Sequence, residues 1–103
     1  MKSIYIAGPM KGHPDYHDKF SMAADVLTDR GWIVINPAVL PEGLNPEAYM
    51  PICTAMIQAA DAVCMLEGWQ KSYGAKLERW FASYQRKAVY TTIDSVPHIV
   101  DEG

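Results

Sequence analysis

Clustered positive charge is missing from this chain: nine lysines and arginines stand against twelve aspartates and glutamates, for a net charge of -3. Long nucleic acids are held by gathered cations that displace counterions, so polymeric DNA or RNA is not an expected partner, although one mononucleotide is not excluded. No apolar run approaches the roughly 20 residues of a spanning helix, so no membrane partner is expected. The opening stretch, Met1-Lys2-Ser3-Ile4-Tyr5-Ile6-Ala7, is too short for a secretory signal and is closed at once by Gly8-Pro9, which leads to the expectation of a cytoplasmic protein. Cysteine is scarce: Cys53 and Cys64 are the two, each among apolar neighbours. They read as buried, reduced thiols, with a reactive thiol as the other reading. A metal site also lacks its ligands. His13 and His17 lie four apart beside Asp15 and Asp18, but Pro14 interrupts the backbone and no third ligand follows, so neither a metal nor any other cofactor is expected. That segment reads as a polar helix entry capped by Asp15 or His13.

What is present is ordinary globular composition, half apolar and one fifth charged, in 103 residues. This is enough for one domain, 1–103, with one core. Four β-type runs (3–7, 32–35, 62–66 and 88–92) alternate with helical patterns near 16–30, 47–60 and 74–86. Pro51 is expected to kink the second helix or to mark its true start. Residues 38–46, with two prolines and a glycine, read as a loop, and the tail 94–103 as either loose or an edge strand near 98–100. Alternation of this kind predicts an α/β fold, a compact doubly wound (flavodoxin/Rossmann-like) parallel sheet of four to five strands flanked by helices. Ligands of such sheets bind beyond the carboxyl ends of the strands.

Two segments stand at those ends. Gly8-Pro9-Met10-Lys11-Gly12-His13 follows the first strand and matches neither a Walker A loop nor a GxGxxG fingerprint. It is either a routine glycine turn or a place where Lys11 meets a carboxylate or phosphate. Ser72-Tyr73-Gly74-Ala75-Lys76-Leu77-Glu78 follows the third strand and opens a helix whose first N–H groups attract anions. Glu78 lies about one turn inside that helix, where it either points back to the crevice or complements the helix dipole on a solvated face. Trp69, Tyr73, Trp80, Phe81 and Tyr84 gather around the same helix. Trp80 and Phe81 read as core or dimer contacts, and Trp69 and Tyr73 as platforms for stacking on a base. Asp61, at the amino end of the third strand, reads as a cap or a surface ion pair.

Taken together, Tyr5-Ile6-Ala7-Gly8-Pro9-Met10-Lys11-Gly12, Asn36-Pro37-Ala38, Ala60-Asp61-Ala62-Val63 and Gly68-Trp69-Gln70-Lys71 running into Ser72–Glu78 resemble the nucleoside 2-deoxyribosyltransferase-like superfamily. The likeness runs from Tyr5 to about Tyr90 and is nearest to its small phage and bacterial branch, the DUF4406 type. The resemblance implies cleavage or transfer at the N-glycosidic bond of 2'-deoxynucleosides or their 5'-monophosphates, in homodimers or higher homo-oligomers. It implies Glu78 as nucleophile and Tyr5 as its companion in the active site. It also implies roles in the site for Gly8, Lys11 and Ser72, the last at a phosphate; with these, Met10, Trp69 and Gly74 are expected to bind substrate. The implied reaction is a double displacement through a deoxyribosyl ester of Glu78, resolved by water or a second base. One position departs from the family pattern. An aspartate is common eight residues before the third strand's Ala-Asp, and counting back eight from Asp61 gives Cys53. That leaves a second reading, a nucleotide-binding module without catalysis, and a third, a small protein that self-assembles through its aromatic helix.

Overall fold

The computed structural model describes residues 2–99. The apolar runs form four short strands, β1 Ser3–Ala7, β2 Ile33–Ile35, β3 Ala62–Met65 and β4 Ala88–Tyr90. Between them run α1 Tyr16–Asp29, α2 Pro46–Ala59 and α3 Tyr73–Tyr84, with single 3-10 turns at Pro37–Val39, Trp69–Lys71 and Ile93–Ser95. All strand pairs are parallel, in the order β2-β1-β3-β4, with Ser3 beside Ile33, Tyr5 beside Val63 and Val63 beside Val89.

Side chains alternate across a strand, so each central strand feeds two cores. Ile4, Ile6, Ala62 and Cys64 meet Phe20, Ala23 and Leu27 of α1, together with Trp32 and Val96. Tyr5, Ala7, Val63 and Met65 meet Cys53 and Ile57 of α2 and Ala75 and Ala82 of α3. The first connection therefore lies on one face of the sheet and the next two on the other. The chain reverses its direction of winding between β1 and β3, and the crevice of such a sheet opens at the carboxyl ends of those two strands. There the strands are held tightly together. Leu66 N–H donates to the Ala7 carbonyl at 2.8 Å, and a Cβ on Gly8 would stand 2.9 Å from Cβ of Leu66. Only glycine permits that approach.

Several boundaries differ from the sequence expectation for local reasons. Helix α2 neither starts at Pro51 nor breaks there: it opens on Pro46, the first-turn position where a missing N–H costs nothing, and continues through Pro51. The segment expected as a loop, 38–46, thus gives its first residues to a 3-10 turn, capped by the Asn36 side chain accepting from Ala38 N–H at 2.9 Å, and its last to α2. Helix α3 stops at Tyr84 because Arg86 adopts a left-handed backbone (φ +60°) and Lys87 N–H returns to the Ala82 carbonyl at 2.9 Å.

As far as residue 99, the tail is neither loose nor a strand. The Arg30 guanidinium donates to the carbonyls of Ile93 (2.6 Å) and Val96 (3.1 Å), the Trp32 indole to that of Pro97 (2.8 Å), and Ile99 N–H to Arg30 O (2.8 Å). The expected edge strand near 98–100 falls partly outside the described residues.

Candidate active site

Glu78 is buried, with 6% of its surface exposed, so it does not belong to a solvated helix face. Three elements bring this about. Ser72 caps α3, its Oγ accepting from Ala75 N–H at 3.2 Å, and six residues on, the helix turns Glu78 toward the sheet. Tyr5, wholly buried on the central strand, points to the same side and donates its hydroxyl proton to Glu78 Oε2. Helix α2 supplies Cys53 and, one turn earlier, Tyr49. The Cys53 thiol is fully buried and interacts with the hydroxyls of both tyrosines. Tyr49, half-buried, donates to the Sδ of Met10 at 2.9 Å, which ties the loop after β1 to α2.

Burial governs the electrostatics of this cluster. Loss of water pushes the Glu78 carboxyl up from 4.5 to about 7, and the hydrogen bond from Tyr5 partly opposes it. Desolvation first, and then the nearby Glu78 charge, raises the Tyr5 phenol far above its ordinary range, so it stays protonated and remains a donor. Tyr49 is raised chiefly by burial, with smaller contributions from Cys53 and Glu78. The Cys53 thiol is raised by burial too, so it is not the activated, thiolate-like cysteine of the reactive reading. Cys64, also buried, is pushed up to about 11 for the same reason.

Of the residues singled out in the sequence, Tyr5, Cys53, Glu78 and, through Tyr49, Met10 come together. Gly8, Lys11, Trp69, Ser72 and Gly74 lie in the turns after β1 and β3 and at the start of α3. Lys11 sits on the exposed turn after β1. Trp69 packs half-buried beside α3 under the Arg79 guanidinium, 5.1 Å from its ring centre, and lines a cavity of about 330 Å³ with Gly68, Gln70 and Thr92. Gly74 stands in open space, with no atom within 4 Å of an added Cβ, so protein packing does not explain the glycine there. A larger cavity of about 440 Å³ lies on the α1 side, between Pro9, Phe20, Leu66 and Ile93. Glu78 lines neither cavity.

The remaining expectations resolve locally. Asp61 caps the start of β1, accepting from Ser3 N–H at 2.8 Å, at the end of the sheet opposite the crevice. His17 pairs with Glu42 at 3.0 Å. Asp15 stands at the start of α1 without capping it and reaches Lys19 instead, at 3.5 Å. Among the described residues no three His, Cys, Asp or Glu side chains gather as a metal site, and no helix is long and apolar enough to cross a membrane. Phe81 packs half-buried against the α2–α3 core, whereas Tyr73, 76% exposed, and Trp80, 63% exposed, do not enter it. Tyr49 is the site residue that the sequence reading missed. Its signal was present, because a residue four before Cys53 shares that face of a helix.

The sequence model of the family described as Domain of unknown function (DUF4406) matches residues 2–91. The fold is similar to that of the 2-desoxiribosyltransferase from Leishmania mexicana, with a TM-score of 0.70 and 22% identity, covering 89% of this chain and 63% of that one. It is also similar to that of the Clostridium botulinum CMP N-glycosidase BcmB, with a TM-score of 0.64 and 16% identity, covering 99% of this chain and 91% of the other. This chain thus spans somewhat less than two thirds of the Leishmania protein. No curated protein matches the sequence.

Proposed function

The chain belongs to the DUF4406 family, and from that premise we propose that it cleaves the N-glycosidic bond of a 2'-deoxynucleoside or its 5'-monophosphate, or transfers the sugar to a second base. One observation carries this reading: a buried carboxylate, Glu78, held by the Tyr5 hydroxyl beneath the carboxyl ends of the central strands. A carboxylate kept from water and oriented by a single donor is suited to attack an anomeric carbon, because little solvent has to be stripped from it first. Glu78 bonds to C1' as the base departs with the electron pair of the broken C–N bond. Water or an incoming base then displaces the ester, with net retention. Ser72, Lys11 and the open backbone at Gly74 are the groups proposed to meet the sugar or its phosphate. The two solved structures of like fold are named for sugar transfer and for CMP cleavage, which agrees with this class of reaction. The same reading takes the protein as a cytoplasmic homodimer or higher homo-oligomer. Its support is the exposed stripe Tyr73, Leu77, Trp80 and Tyr84 along α3.

A second reading has its own observation. Cys53 supplies a raised, buried thiol where an acid is expected, which suits a module that binds nucleotides without cleaving them. One experiment separates the two. The protein is incubated with each deoxynucleoside, each deoxynucleoside monophosphate and CMP, and free base is followed by chromatography. Release that vanishes in Glu78→Ala is the expected result. Absence of release, together with a nucleotide-dependent rise in melting temperature, would establish the binding module instead.

A further inference from the structure

Departure of a base leaves negative charge on one of its nitrogens, and something must receive it. Among the groups around Glu78, two are unsuited. Tyr5 is fully buried and its proton is already committed to Glu78. Cys53 is fully buried, and an S–H group is a weak donor. Tyr49 differs from both. It lies one helical turn before Cys53, is half-buried rather than sealed, and is close enough to feel the charge of Glu78 and the hydroxyl of Tyr16. Its proton rests on a thioether, the Sδ of Met10 at 2.9 Å, which is a poor acceptor. Met10 also belongs to the turn that leads out of β1 into the crevice. A base nitrogen arriving there would be a better partner than the sulfur it replaces.

We infer that Tyr49 is a catalytic residue of the reaction proposed above, its hydroxyl leaving Met10 to donate to the departing base in the role for which Cys53 is unsuited. The inference rests on that reading of the function. The step balances as follows. The C1'–N bond breaks with its electron pair on the base, a Glu78 oxygen bonds to C1', and the Tyr49 proton is shared with or passed to the base nitrogen. The water that opens the ester, or the N–H of an incoming base, returns that proton to Tyr49. Burial keeps the phenol protonated at every neutral pH, so the donor is always loaded.

The test varies how much help the leaving base needs. Whichever form the wild type cleaves, nucleoside or monophosphate, is made with bases of graded acidity: adenine, hypoxanthine and 6-chloropurine, or cytosine, uracil and 5-fluorouracil. Tyr49→Phe keeps the ring and removes the donor. The expected loss in kcat is about 100-fold for the least acidic base and under about threefold for the most acidic. An equal loss across the series, or none, overturns the inference while leaving the function standing. A wild type inert on every substrate overturns the function first and the inference with it. Should Tyr49→Phe fail to fold, the wild type alone decides. A donor predicts kcat nearly level across the series, and a steep fall toward the least acidic bases overturns the inference.

Discussion

At the scale of single residues, Glu78 carries the clearest consequence. Folding lifts its carboxyl from 4.5 to about 7, and at about 1.4 kcal/mol per pH unit this amounts to roughly 3 kcal/mol. The folded chain holds the proton more tightly than the unfolded one. The penalty is therefore absent below about pH 4.5, grows as pH rises through the window up to about 7, and is complete above it. Glu78→Gln should match the wild type in stability near pH 4 and exceed it by up to about 3 kcal/mol at pH 8. Urea unfolding at the two pH values checks this with no substrate at all. The sequence identified Glu78 and Tyr5 as a pair only through resemblance. Helical spacing left the glutamate free to face solvent, and what decides the matter is α3 packing against β1 across the sheet. Tyr49 went unread for a similar reason. Its importance depends on Met10 reaching it from the turn after β1, 39 positions away in the chain.

At the scale of elements, the two ends of α3 make opposite demands. At its start the Ser72 side chain satisfies one of the free N–H groups, so Ser72→Ala should cost about 1 kcal/mol whatever the hydroxyl does for substrate. At its end an arginine occupies a left-handed backbone that costs a side chain about 1 kcal/mol, so Arg86→Gly should recover a comparable amount. Chemical denaturation of the two variants should move the midpoint in opposite directions. These ends were only partly legible. The pattern started the helix near Gly74, yet Tyr73 already lies inside it, and nothing about Arg86 announces a helix terminus in a stretch of good helix formers. For the second helix only the alternative of a start at Pro51 fails: Pro51 looks like a breaker, but its placement early in a helix that Pro46 has already started sacrifices a single backbone bond.

At the scale of the whole molecule, the parallel sheet and its flanking helices followed from the alternation of short apolar runs with helical periods, because few arrangements bury both. The exposed row on α3, with Trp80 and Tyr84 stacked at 5.4 Å between ring centres, was visible as aromatic clustering, but the sequence could not separate core from surface. If that row carries the proposed self-association, Trp80→Glu should convert the protein to monomer. Sedimentation equilibrium reads the outcome, and an oligomer unchanged by the substitution would assign the contact elsewhere.

The clamp on residues 93–99 also bears on the order of events during synthesis. Val96 completes the core on the α1 face and is held there by Arg30 and Trp32, residues made more than sixty positions earlier. The first strand, which becomes the centre of the sheet, pairs with β2 early but must wait for β3 on its other side, and α1 waits longer still for its cover. A nascent chain halted before residue 93 should therefore expose Phe20 and Leu27 to proteases or chaperones, and acquire resistance only once the clamp has emerged.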